Sequence, residues 1–469
     1  MGKVRRYIES RLLGYGYLSD VISIARKIIL DLVGPSGAPN GSKYQQAEAL
    51  IDLGNKIREV TGDNAILAIG AINAICKLRG PDPIKKPRGK RAYIISSLKH
   101  PDEVAELRRT YGSGFYLIAV HADKERRLRN LREEGEGMTS LEAKRLSDRD
   151  EHESQETGQH MRDTFHLADF FVADENNEDK LRASIHRCLD LIFGHPTLTP
   201  TFNEFAMFMA VASSMRSADL SRQVGAVVAK RNEILSTGAN DCPRFGGGLY
   251  WPIFKNNRVV DIPNGRDYIR GYDSNSVEKK VIIESVIKAC GVKGKEANRV
   301  RLALKKSAIG DITEYGRVVH AEMEAILACA RKTISCRGGT IYCTTFPCHN
   351  CAKHIIAAGI KDVVYIEPYP KSKALTFHDD SATTERGIPD RVRFKPFVGV
   401  GPRRFLDFFA MRLGSGKEIK RKNSDGTTIR WKSKGSLPRV AMLPYSYLDI
   451  ELYAQDYWNA KTNQLQGAN

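Results

Sequence analysis

Two short runs carry residue types that can do chemistry together: His320-Ala321-Glu322 and Pro347-Cys348-His349-Asn350-Cys351. Two cysteines three apart at a helix start point to one side, and the helix N-terminus favours their thiolate forms. A histidine from a neighbouring helix start completes three protein ligands for Zn²⁺. Three ligands leave the fourth position open to water, which marks a catalytic rather than a structural ion. Glu322, two residues past the histidine, would face that water without coordinating the ion and could carry protons. A CxxC pair alone also fits redox chemistry or structural zinc, and an HAE run alone says less. Their order decides, with Cys348 following His320 by 28 residues and a strand between them. His349 lies inside the cysteine pair and would have difficulty turning to the same ion. Cys329, Cys336 and Cys343 read as small buried hydrophobes.

Elements must hold these residues in place. HAEMEAILACARK (320–332) reads as a helix, GTIYCTTF (339–346) as a strand, Pro347 to Ala358 as a helix and KDVVYIEP (361–368) as a strand. Upstream lie a long helix (203–219), two strand-like runs, VGAVVAK (224–230) and EILSTGAN (233–240), and the turn FGGGLYWP (245–252). That turn has two readings: close backbone approach with Tyr250 or Trp251 stacking on a base, or a flexible turn followed by core aromatics. A polar insertion then runs to Tyr315. In the first part, 21–33 and 43–60 read as amphipathic helices, while RAYIISSL (91–98) and GFYLIAVHA (114–122) read as buried strands. The helix 99–112 between those strands makes a βαβ unit and implies a parallel sheet. The charged stretch 123–163 reads as a solvated helical excursion or lid, ADFFVAD (168–174) as a strand, and GHPTLTPT (194–201) as the break between domains.

The chain has 469 residues, with 73 Lys and Arg against 55 Asp and Glu, giving a formal charge of +18. With 42% hydrophobic and 27% charged residues it should fold, which excludes wholesale disorder and collagen-like repeats. No run of apolar residues is long enough to cross a membrane, and the first residues do not read as a secretory signal. Nine sparse cysteines argue for reduced thiols and a cytoplasmic protein. The positive charge invites a polyanion: nucleic acid, or the phosphates of a nucleotide.

The combination H-x-E…P-C-x-x-C resembles the signature of zinc deaminases. Residues 203–370 resemble the deoxycytidylate deaminase branch of the cytidine deaminase superfamily, with SSMRSADLSRQVGAVV (213–228) and GAND (238–241) as further matches. That resemblance implies zinc on His320, Cys348 and Cys351, with Glu322 as proton carrier. It places Asn240 at the sugar, Val224, Gly225 and Ala226 along the base, and Arg216, Ser217 and Arg222 at phosphates. The chain is more closely similar to bacterial anti-phage dCTP deaminases, through YIISSLKHPDEVAELRRTYG, GQHMRDTFHLADFFV, GANDCPRFGGGLYW, YIEPYPKSKALTFHDDS and FVGVGPRRFLDFF.

The implied fold is α/β: a three-layer P-loop kinase-like domain over 1–198, a cytidine deaminase-like α/β/α sandwich over 199–390, and a C-terminal extension, 391–469, packed on the deaminase. The implied reaction converts dCTP or dCMP to the uracil nucleotide and ammonia, depleting dCTP in antiviral defence. A homo-oligomer is expected, and the resemblance admits control by a nucleotide effector or an inhibitory small RNA. No GxxxxGK[ST] motif occurs, so no kinase activity is expected; either the phosphate cradle is lost or the chain begins downstream of it. The alternatives are a polynucleotide deaminase that edits RNA or single-stranded DNA, favoured by the charge, and a binding protein with structural zinc, which would have no use for Glu322.

Overall fold

Ile22 and Ile24 are both buried and stand two apart, a strand period, before Ile28 and Ile29 change the spacing. In the computed structural model, which describes residues 2–34, 38–79, 89–134, 138–151, 160–175, 177–312 and 314–440, this run divides accordingly. Leu18–Ser23 is strand β1, followed by a π-helical turn, Ile24–Ile29, and a short helix, Leu30–Val33. The single amphipathic helix expected over 21–33 is corrected to that extent. The chain separates into two units, Met1–Thr199 with Arg403–Asn469, and Pro200–Pro402.

In the first unit, helix α1 (Gly2–Gly14) precedes β1, and α2 (Lys43–Thr61) and α3 (Ile66–Arg79) follow it. A capping box of Ser42 and Gln45 starts α2. Strand β2 (Arg91–Ser96) pairs with β1 in parallel, from Leu18↔Arg91 to Ser23↔Ser96. Then come α4 (Pro101–Tyr111) and β3 (Ile118–His121), which pairs in parallel with β4 (Phe170–Ala173). The expected strand, helix and strand are therefore present, but among the described residues β2 and β3 are bonded to β1 and β4 rather than to each other. Buried Asp169 fixes the second pair, accepting from the Leu117 N–H at 2.8 Å and facing Arg108 at 3.2 Å. The charged stretch forms α5 (Lys124–Glu134) and α6 (Ser140–Glu151), and Ala143 and Leu146 of α6 are buried, so that helix is not wholly solvated. Its residues 152–159 lie outside the described residues. Helix α7 (Glu178–Ile192) follows β4.

The expected C-terminal extension, 391–469, divides: residues 391–402 lie in the second unit, where Val392–Pro396 is a strand of its sheet. Residues 403–440 belong to the first unit, because a ring and a charge need partners that lie there. Phe408 packs on Phe170 with ring centroids 5.1 Å apart, and Arg404 reaches Asp169 at 3.4 Å and the Phe115 carbonyl at 2.9 Å. Residues 441–469 lie outside the described residues.

The second unit opens with α8 (Phe202–Ser214), capped by Thr201 and Glu204. Strands β5 (Gly225–Lys230) and β6 (Glu233–Ala239) form a hairpin, and the insertion contributes β7 (Ile253–Lys255), β8 (Arg258–Val260), α9 (Ser274–Ala289) and α10 (Gly294–Lys306). Ile283, Ile287 and Ala297 give the α9–α10 pair a small core of its own. Helix α11 (Ala321–Arg331), β9 (Thr340–Thr345), α12 (His349–Ala357), β10 (Asp362–Glu367), β11 (Ala382–Thr383) and β12 (Val392–Pro396) complete the unit. One sheet results, in the order β11-β12-β10-β9-β5-β6, parallel as far as β9 and antiparallel beyond it. No helix among the described residues is long and apolar enough to cross a membrane.

Two glycines on adjacent strands set the layer spacing. The register Gly225↔Ala239 and Ala226↔Gly238 turns the two glycines to opposite faces. A Cβ on Gly225 would lie 1.9 Å from the Ala210 carbonyl oxygen of α8, and one on Gly238 would lie 2.1 Å from the Ala321 carbonyl oxygen at the start of α11. The mixed α/β unit is thus a three-layer sandwich whose helices touch the sheet backbone on both faces. Gly238→Ala must push the start of α11 outward. Urea unfolding is expected to show a loss of about 1–3 kcal/mol, and metal analysis a reduced zinc content; unchanged values for both would contradict the close approach.

Candidate active site

Helix α11 begins at His320 and α12 at Cys348, each serving as N-cap with an extended backbone, φ −67° and ψ 150° for His320 and φ −67° and ψ 166° for Cys348. The Cys348 sulfur accepts from the Cys351 N–H at 3.4 Å, which folds the CxxC turn back on itself. His320 Nδ1 lies 3.2 Å from Cys351 Sγ and 3.4 Å from Cys348 Sγ. The three ligand atoms all fall within 4.8 Å of one another, a group that could hold a metal ion. One nitrogen and two sulfurs suit the borderline-soft Zn²⁺. Cys351 is fully buried, while Cys348 and His320 are partly exposed.

The three groups perturb one another strongly, and the Cys351 thiol is pushed up by its hydrogen bond with Cys348 and by burial. The Cys348 thiol is pulled down to about 4, first by its hydrogen bond with Cys351 and then by His320. The Cys348 thiolate in turn holds His320 up at about 9. Glu322 is 4% exposed, and burial pushes its carboxyl above the ordinary value against the opposing effect of His320. His349 turns away from the sulfurs, with Nε2 3.6 Å from Glu314 and its ring 5.7 Å from that of Phe377, while His354 bonds the Asn350 carbonyl. Cys329, Cys336 and Cys343 are buried, and Cys329 donates to Ser236 at 3.1 Å.

Asn240, at the end of β6, ties down the segment leading into β5. Its Oδ1 accepts from the Val224 N–H at 2.6 Å and its Nδ2 donates to the Arg222 carbonyl at 2.8 Å. Ala226 pairs with Cys343 on β9, and Val224 packs against the core that contains Cys351 and Ala321. Gly225 differs from these two neighbours: the direction its side chain would take leads to α8, so it offers only backbone, and its N–H is bonded to Thr344. Ser217 is buried, with its hydroxyl accepting from the Asp219 N–H. Arg222 is held by Glu367 at 2.8 Å and Thr345 at 3.2 Å, whereas Arg216 lies elsewhere, against Tyr250 and Trp251.

The three glycines of FGGGLYW all have left-handed backbones, φ 83°, 93° and 75°, and a Cβ on Gly247 would meet Arg331 at 2.8 Å. Turn geometry accounts for them. The sequence reading passed over Asp241, Arg266 and Glu367. Asp241 could have been noticed as the acid directly after Asn240, but nothing local marks Arg266.

The family model described as the cytidine and deoxycytidylate deaminase zinc-binding region matches residues 200–367. A deoxycytidylate deaminase of Enterobacteria phage T2 is 35% identical over 167 residues, covering 35% of this chain and 79% of that protein. The ComE operon protein 2 of Bacillus subtilis is 34% identical over 142 residues, covering 30% of this chain and 72% of that protein. Among solved structures, the dCMP deaminase of cyanophage S-TIM5 in complex with dCMP and dUMP shares 19% identity, covering 43% of this chain and 100% of that one, with a TM-score of 0.25. The chain belongs to the cytidine and deoxycytidylate deaminase family, and zinc is the metal of its matched region.

Asn240→Ala removes both bonds to the 222–224 segment and leaves the Val224 N–H and the Arg222 carbonyl without those partners. A loss of about 1–3 kcal/mol in urea unfolding is expected. A change within error would show that the side chain does not hold the segment.

Proposed function

We propose that this protein is a zinc-dependent hydrolytic deaminase of free deoxycytidine nucleotides, taking dCTP, dCMP or both, with water, to the uracil nucleotide and ammonia. The observation that carries the reading is the His320, Cys348 and Cys351 group, with the buried carboxyl of Glu322 two residues past the histidine. Those three residues would hold Zn²⁺, which when bound activates water for attack at C4 of cytosine. Glu322 would take one proton from that water and deliver it to ring N3, then pass the proton of the new C4 hydroxyl to the amine, which leaves as ammonia when the C4–N bond breaks and the C4 carbonyl forms. Its burial supports the role, because a carboxyl pushed above its ordinary range accepts a proton more readily than an exposed one. Asn240 has one amide N–H beyond its two backbone bonds, which suits a sugar hydroxyl, and Val224 and Ala226 supply the apolar wall for the base. The phage relatives are named deoxycytidylate deaminases, which favours a nucleotide over a strand as substrate.

The finer reading is depletion of dCTP as a defence against phage. Its support is the resemblance of the long sequence blocks in both halves of the chain to anti-phage dCTP deaminases. In the first unit, two parallel strand pairs with flanking helices support a kinase-like scaffold.

The test incubates purified protein with dCTP, dCMP, CTP and a cytosine-containing single strand and follows uracil products. Deoxynucleotides are expected to turn over, and Glu322→Gln to lower kcat by about 10²–10⁴-fold with zinc retained. A strong zinc chelator should abolish the activity and added Zn²⁺ restore it. Turnover of the strand alone would overturn the reading in favour of polynucleotide editing.

A further inference from the structure

The polar insertion brings a second guanidinium to one of the arginines expected at phosphates. Arg222 is already held by Glu367, but Arg216 has no carboxylate within ion-pair distance among the described residues. Its Nη2 donates to the Tyr250 carbonyl at 2.9 Å, its Nε is buried without a hydrogen-bond partner, and its guanidinium lies 3.7 Å from the centre of the Trp251 ring. The same carbonyl accepts from Arg266 Nη2 at 2.7 Å. Arg266 is 5% exposed and stands between Asp241 at 3.2 Å and Asp261 at 3.3 Å, and its Nε also has no hydrogen-bond partner.

Two like-charged donors on one neutral oxygen make an arrangement that an anion satisfies better. A hydrogen bond to an ionised acceptor is roughly twice as strong as one to a carbonyl, and a phosphate offers several acceptor oxygens to two planar forks. Asp241 and Asp261 offset the charge of Arg266 and fix its position, so the uncompensated positive charge is that of Arg216. The pair also belongs to the backbone that carries the site. Asp241 follows Asn240, and its carbonyl accepts from the N–H of Val319, the residue before His320, at 3.0 Å.

We propose that Arg216 and Arg266 form the phosphate-recognition point of the deaminase site, with a nucleotide phosphate oxygen replacing the Tyr250 carbonyl as their shared acceptor. The insertion, through Arg266, then sets the preference for nucleotide over nucleoside. Trp251, 55% exposed, holds the Arg216 plane on one side while the outer edge of the guanidinium meets the phosphate. The proposal rests on the deaminase reading above.

The test measures kcat/KM for dCMP and for deoxycytidine in wild-type protein, Arg216→Gln and Arg266→Lys, each checked for bound zinc. Arg216→Gln should reduce the ratio of the two values about tenfold or more, mostly through KM for dCMP. Arg266→Lys keeps the charge but loses the fork, and should reduce the ratio less. Equal losses with both substrates, or an unchanged ratio, would overturn the proposal. If wild-type protein turns over dCTP but not dCMP, the ratio is taken with dCTP; if it deaminates none of the three compounds, the deaminase reading fails, and the arginine pair is judged by calorimetry with inorganic tripolyphosphate. Binding weakened about tenfold in Arg216→Gln sustains the pair; equal binding, or none to wild-type protein, overturns it.

Discussion

Two helix starts aimed at one point constrain everything else in the second unit. His320 and Cys348 each cap a helix, so the open N–H ends of α11 and α12 converge where two sulfurs and an imidazole are gathered, with the buried carboxyl of Glu322 beside Cys351. Removing such groups from water is costly unless they are paired with each other or with a metal. The start of α12 favours the Cys348 thiolate, whose sulfur takes the Cys351 N–H. The rest of the fold keeps these two ends from drifting apart.

The sheet does this at close range. β9 runs between the two helices in sequence and lies next to β5 in space, which brings Ala226 beside Cys343. Gly238 lets α11 rest directly on β6, so the sheet carries the His320 end of that helix almost without intervening side chains. Asn240 fastens the entry to β5, and the bridge between Asp241 and Val319 joins the same strand end to the residue before His320. The insertion reaches this bridge through Arg266 and is fastened again by Arg317, which meets Asp267 at 2.6 Å and the Gly265 carbonyl at 3.1 Å. A change in the insertion therefore has a short mechanical route to the metal ligand.

The metal group was legible because its information is local. Residue type, a spacing of two or three and the start of a helix are all written in adjacent letters, and helix starts are set by capping chemistry over a few residues. Partner choice is not local. Nothing in RAYIIS shows that it pairs with 18–23 rather than with 118–121, and nothing in FLDFF shows that Phe408 packs on Phe170 instead of extending the deaminase-like unit. Those outcomes depend on where a buried ring or charge finds its complement in a distant segment. Arg266 was missed for the same reason: one arginine in NGRDY is indistinguishable from a solvated one until Asp241, Asp261 and Tyr250 are seen around it. The run 21–33 misled because its apolar residues fit a helical period as well as a strand that gives way to a turn.

Three protein atoms, one nitrogen and two sulfurs, would hold a zinc ion whose fourth position stays open. X-ray absorption at the zinc edge of the purified protein tests it most directly. The account predicts two sulfur ligands at about 2.3 Å and one imidazole nitrogen with one further light atom at about 2.0–2.1 Å. A shell of three or four sulfurs, or a second imidazole in place of the exchangeable light atom, would contradict it.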